Sequence, residues 1–113
     1  MINQRTIAKP VTFTGIGLHS GKKITLTLKP AEADFGIQFQ RVDIQNAPLI
    51  KPTADSVSAT ENNTTIGAPP YSIHTVEHLL SVFYGMGINN ILCEIDGPEV
   101  PIMDGSGASF VYI

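Results

Sequence analysis

With 113 residues, 42% of them apolar, and a net charge of −3, the chain is sized for one domain with a modest two-layer core. No basic patch is present to bind a polyanion, so nucleic acid is not expected as a partner. No uninterrupted apolar run approaches the ~18 residues of a membrane helix, so no integral membrane segment is expected either. Met1 to Pro10 lacks the apolar stretch of a secretory signal, and the single cysteine, Cys93, has no partner for an internal disulfide. Both features fit a soluble, cytoplasmic protein in a reducing compartment, with Cys93 serving as a small buried hydrophobe.

Thr6 to Phe13 reads as a first strand, with Pro10 marking an edge position or a bulge. Gly15-Ile16-Gly17-Leu18-His19-Ser20-Gly21 follows, a glycine-rich turn of the kind required where φ is positive or backbones approach closely. Its spacing does not match a dinucleotide-binding fingerprint, and a strand rather than a helix follows it. His19 is therefore either an ordinary hairpin residue or a site residue carried on a loop.

Lys23 to Pro30 alternates cleanly, with Ile24, Leu26 and Leu28 toward a core and Thr25, Thr27 and Lys29 outward. Ile37 to Arg41 alternates again, and the two segments are expected to form an antiparallel pair. Thr53 to Ala59 is a weaker strand pattern with Val57 as its only large apolar anchor. Asn62 to Pro70 reads as a polar loop ending in Pro-Pro.

Ser72 to Gly85 reads as a helix with Ser72 as its N-cap. At about 100° per residue, Ile73, Val76, Leu79, Leu80 and Phe83 share one face, and His74, Glu77, His78 and Ser81 share the other. An ordinary solvated face is rich in Lys, Arg and Glu, whereas this segment contains neither Lys nor Arg. Gly85 and Gly87 bracket Met86 and supply left-handed stop positions. Asn90 to Ile95 is a further strand, and Pro98 to Met103 is extended. Asp104 to Gly107 forms a turn that opens a second helix from about Ala108. That helix runs into an apolar end, Phe110 to Ile113, without a C-cap, as in part of a longer protein. The expected architecture is α+β: two layers, with two helices packed on one face of a mostly antiparallel sheet.

A carboxylate next to an imidazole on a core-anchored helix suits a metal-assisted hydrolase, because a fixed backbone aims both groups at one volume. His74-Thr75-Val76-Glu77-His78 also matches H-x-x-E-H, the inverted zincin pattern, in which the two histidines share a zinc ion and Glu77 is the base. Such a site needs a further carboxylate downstream. Only Glu94, Asp96, Glu99 and Asp104 remain; Glu94 lies in a strand pattern and the others cluster around Pro98 and Pro101.

The glycine turn Gly15–Gly21, the segment His74-Thr75-Val76-Glu77-His78-Leu79, and Pro101-Ile102-Met103-Asp104-Gly105-Ser106 occur in this order. In order and separation they resemble the LpxC family, the UDP-3-O-acyl-N-acetylglucosamine deacetylases of lipid A synthesis. The resemblance covers essentially the whole chain and implies that residues 1–113 are the N-terminal domain of an enzyme built from two similar α+β domains. It implies hydrolysis of the N-acetyl group of a UDP-linked acylated amino sugar, releasing acetate, with one catalytic Zn²⁺. By motif position His78 resembles a zinc ligand and Glu77 the base. His19 resembles a histidine at the active-site mouth, counted with the catalytic residues in a supporting, non-ligating role. His74 falls where the family has no fixed histidine. The remaining ligands, a His and an Asp, and the general acid are expected from the missing C-terminal domain, which would dock on an apolar surface. On this reading the isolated chain binds zinc weakly and is inactive. A non-catalytic binding or assembly module retaining the fold, or the start of a bifunctional deacetylase/dehydratase, are the alternatives.

Overall fold

The computed structural model describes residues 4–17, 19–53, 57–59 (backbone only) and 64–101. Its elements are β1 (Val11–Ile16), β2 (Lys23–Pro30), β3 (Ile37–Arg41), β4 (Val57–Ala59), β5 (Thr64–Ile66), β6 (Ile73–His74), α1 (Glu77–Met86) and β7 (Ile91–Ile95). A four-stranded sheet has the order β1-β2-β7-β3, and a three-stranded sheet the order β4-β5-β6. Among the strand pairings of the described residues, β3–β7 is parallel and the others are antiparallel; an isolated parallel bridge joins His74 and Glu99. The α+β class and mostly antiparallel sheet stand as expected. Among the described residues there is one helix; the second, placed from about Ala108, lies outside them, as does the Asp104 turn.

The register of the large sheet builds the core in rows. Val11, Leu28, Cys93 and Phe39 lie side by side across the sheet, as do Phe13, Leu26, Ile95 and Arg41. Leu26, Leu28, Phe39, Cys93 and Ile95 are all fully buried. They meet Ile66, Ile73, Val76, Leu79 and Phe83 from the small sheet and the helix in one continuous core. Burial in this apolar row pushes the Cys93 thiol well above its usual range, as expected of an inert structural cysteine. On the outer face Lys29 and Glu94 form a partly exposed ion pair at 2.9 Å, which solvent screens.

Three expectations are corrected. The first strand begins after Pro10 rather than at Thr6, because proline offers no N–H to the ladder, and it extends to Ile16. The strands β2 and β3 do not pair: β7, the most apolar strand, sits between them and satisfies both its edges. The supposed loop Asn62–Pro70 contains β5, a strand too short for its alternation to register in sequence.

The helix also begins later than Ser72. Ile73 and His74 pair with Ile66 and Thr65 as β6. A second partner secures them from the other side: His74 N–H donates to Pro98 O (2.8 Å) and Val100 N–H to His74 O (3.0 Å). Tertiary pairing thus overrides the helical periodicity of this stretch. Val76 occupies the N-cap position without a side-chain cap. At the C-terminus Gly87 stops the helix as expected, at φ 72° in a Schellman motif, its N–H donating to Tyr84 O and that of Ile88 to Phe83 O, whereas Gly85 lies within the helix and is not a left-handed stop.

Arg41 joins the two layers. It is buried at the end of a core row, and its guanidinium donates to Asp43 through Nε and Nη2 (2.8 and 2.7 Å) and to Ser72 O through Nη1 (3.0 Å). The hydrogen bonds and charge of Arg41 hold the Asp43 carboxyl below its usual range against the opposing effect of burial. Among the described residues no helix is long and apolar enough to cross a membrane.

The row structure predicts a sharp asymmetry in β1 and β2. Leu26→Ala should lower the unfolding free energy by about 2–5 kcal/mol. Thr14→Ala, on the exposed side of β1, should cost less than about 1 kcal/mol. Urea denaturation of both variants tests this.

Candidate functional site

The expected amphipathic split survives the shift in helix start. Val76, Leu79 and Phe83 are buried, and Leu80 packs partly against the core. Glu77 and His78 open the helix and are exposed. The core therefore fixes the backbone of α1, and its first turn presents a carboxylate and an imidazole on adjacent residues. Glu77 also sits where the helix dipole favours negative charge.

This turn is fastened to β5 by one residue. Thr64 accepts a hydrogen bond from Val76 N–H through its carbonyl (3.3 Å) and donates its own N–H to Glu77 Oε2 (3.2 Å). The carboxylate is thus oriented by backbone on its strand side. Between β6 and α1 stands Thr75, at φ 64°, a left-handed conformation unusual for a β-branched residue. Its buried hydroxyl has no hydrogen-bond partner among the described residues. A strained residue with an unsatisfied hydroxyl two positions before Glu77 is the kind of local cost that clusters at functional sites.

His74 does not share the face of Glu77 and His78. It lies in β6, with Nδ1 and Thr65 Oγ1 2.7 Å apart. The i, i+4 geometry that H-x-x-E-H requires is therefore absent, because the first histidine precedes the helix. Glu94 is engaged by Lys29, and Asp96 accepts the Thr25 N–H at 2.8 Å. Among the described residues no three His, Cys, Asp or Glu side chains converge to hold a metal ion. A self-contained zincin site is not assembled by them. The donor chemistry of His78 and Glu77 suits one share of a metal site.

His19 is exposed in the turn between β1 and β2, and its backbone is held by a residue whose importance was not read from sequence. Glu99 is 2% exposed. The His19 N–H donates to both its oxygens (3.0 Å to Oε1, 3.1 Å to Oε2), and the Ser20 N–H donates to Oε1 at 2.7 Å. A side chain at Gly17 would collide with Glu99 Oε1 and Ser20 Oγ, so glycine is needed there for close approach. The only sequence signal was a lone carboxylate in the otherwise apolar run Gly97-Pro98-Glu99-Val100-Pro101.

Burial pushes the Glu99 carboxyl upward, but the amides of Ser20 and His19, the Ser20 hydroxyl and the charge of His19 together bring it below its ordinary value. A shallow groove of about 310 Å³ lies elsewhere, among Gly36, Ile37, Lys51, Tyr84 and Ile88, and includes none of these site residues.

The fold and site define an α+β domain that displays an acid–imidazole pair from the start of a core-anchored helix. Residues 4–113 match the family model described as LpxC: UDP-3-O-acyl N-acetylglycosamine deacetylase. The chain is 56% identical to the UDP-3-O-acyl-N-acetylglucosamine deacetylase of Geobacter sp. (strain M21) over 111 residues, 98% of this chain and 36% of that protein. It is 47% identical to the enzyme of the same name from Bdellovibrio bacteriovorus, over 98% of this chain and 37% of that protein. A third such relative, from Psychrobacter sp. (strain PRwf-1), is 48% identical over 99% of this chain and 38% of its own length. The chain belongs to the LpxC family, and it spans little more than a third of the length of these relatives.

The Glu99 carboxylate predicts an acid-sensitive stability. The folded chain keeps Glu99 ionised to lower pH than the unfolded chain, whose value is near 4.5. Above that pH the stabilisation is complete; as pH falls through the folded-state value it is lost, because the unfolded chain takes up the proton first. Urea denaturation between about pH 3 and 6 should show a steeper acid loss for the native sequence than for Glu99→Gln.

Proposed function

We propose that this chain is the N-terminal domain of a cytoplasmic, zinc-dependent UDP-3-O-acyl-N-acetylglucosamine deacetylase, acting in lipid A biosynthesis. The observation that carries the reading is the adjacent, exposed Glu77 and His78, held at the start of a helix whose other face is locked in the core. In this reading the substrate is the UDP-linked acylated amino sugar, and the reaction is hydrolysis of its N-acetyl amide with release of acetate.

His78 would supply one imidazole to a zinc ion. When bound, that ion supplies Lewis acidity and brings the pKa of a coordinated water toward about 7. Glu77 is placed to accept a proton from a water directed at the amide carbonyl. The Thr64 amide on Oε2 keeps the carboxylate from swinging away. His19 supports the reaction from the glycine turn, without a ligand role. The remaining zinc ligands and the general acid come from the C-terminal domain of the same polypeptide. Three protein ligands plus water are the norm for catalytic zinc, and the described residues bring no such set together.

In the complete enzyme Glu77→Gln should retain stoichiometric zinc but lose turnover by about 10²–10⁴-fold. Wild-type turnover in that variant would remove Glu77 from the base role. The 113-residue chain by itself should show no tight zinc site in equilibrium dialysis and no acetate release. One tight stoichiometric site would overturn the division of ligands between two domains.

A further inference from the structure

Two structural facts meet at Glu99. Its backbone lies in a segment bridged to His74, with Pro98 O and Val100 N–H engaging the two backbone groups of that residue, just ahead of Glu77. Its side chain carries the amides of His19 and Ser20 across 80 and 79 residues of sequence. One residue therefore couples the turn that bears His19 to the strand that launches Glu77 and His78.

The arrangement is more specific than core packing requires. A carboxylate taken out of water carries a desolvation cost that is offset only when its lone pairs are well used. Glu99 uses them on the backbone of an exposed turn, where they add no apolar burial. What they add is orientation: charge-assisted hydrogen bonds tie a turn that is closed by its own Gly17–Lys22 and Gly21–Gly17 hydrogen bonds to the Pro98–Val100 segment. Gly17 leaves room for this approach.

We infer that Glu99 is a positioning residue of the deacetylase, which sets the His19 turn against the β6–α1 junction so that the His19 imidazole reaches the reacting amide in a fixed orientation. This inference rests on the functional reading above and adds a residue that the sequence pattern did not assign to the site.

The test uses the complete enzyme, the UDP-linked N-acetylated substrate, and the variants Glu99→Gln, His19→Ala and their combination. Acetate release by the wild type establishes the functional reading separately; its absence overturns that reading whatever Glu99 does. Given an active wild type, Glu99→Gln should lower kcat about 10- to 100-fold, as displacement of a supporting group by about an ångström does. Its zinc content and KM should stay within about twofold of wild type, since neither the metal ligand nor uniform substrate binding is altered.

In a His19→Ala background the same change should cost less than about threefold, because its effect is transmitted through His19. Wild-type kcat in Glu99→Gln, or losses that multiply in the double variant, would overturn the inference. If Glu99→Gln does not fold, Ser20→Ala reads the contact from the turn, by removing the hydroxyl that also faces Glu99. It should give a loss of about 2- to 5-fold that vanishes without His19; a loss that persists without His19 overturns the inference equally.

Discussion

The burial of one carboxylate organises the turn, strand and helix that make up the site. Glu99 is removed from water almost entirely, and the amides of His19 and Ser20 replace its hydration. Arg41 provides the complementary constraint from the other side. Its guanidinium leaves a core row of the large sheet to meet the carbonyl of Ser72, the residue before β6. These two buried charges sit where layers join rather than within the apolar rows. Both bear on the short path from β6 into α1, and a buried ion that loses its partner is costly, so each strongly restricts where that path can run.

The path itself is locally unfavourable. Thr75 takes a left-handed conformation that costs about 1–3 kcal/mol, its hydroxyl lacks a described partner, and the helix begins without a side-chain cap. It persists because its neighbours over-determine it. Pro98 and Val100 hold His74, Thr64 holds both Val76 and Glu77, and the side chains of Ile73 and Val76 are fully buried. A conventional helix through Ser72 and His74 would relieve Thr75 but break the pairing of β6 with β5 and with the Pro98–Val100 segment. The outcome places Glu77 at the first turn of the helix, where a strand residue holds its carboxylate and the backbone N–H of Val76 before it.

Local patterns were legible in sequence to the extent that the interactions behind them are local. The alternation of Lys23–Pro30 and Ile37–Arg41 gave those strands their observed bounds, and the buried face of Val76, Leu79 and Phe83 followed from helical spacing. Pairing was not legible, because the insertion of β7 between β2 and β3 depends on contacts more than 50 residues apart in sequence. The same reason hid Glu99: its partners are 79 and 80 residues away, and nothing near it marks it as an acceptor. His74 was placed on the wrong element for the converse reason, since helical periodicity continues through a stretch that two backbone partners hold extended.

An acid–imidazole pair that is exposed yet rigidly mounted suits a site completed from elsewhere in the polypeptide. Ordering a flexible loop at assembly costs about 1–2 kcal/mol for each backbone residue fixed. Here that cost is already met in folding: the backbone of α1 is set by its buried face, Glu77 is oriented by the Thr64 amide, and the His19 turn is held by Glu99. Docking of a second domain would then need to restrict only a few side-chain torsions on this side. The free energy of contact between domains would then be left for exclusion of water and for the remaining ligands of the proposed site. Under the proposed reading, such a division would make the precision of the site a property of this domain's core, while its chemistry would depend on a partner.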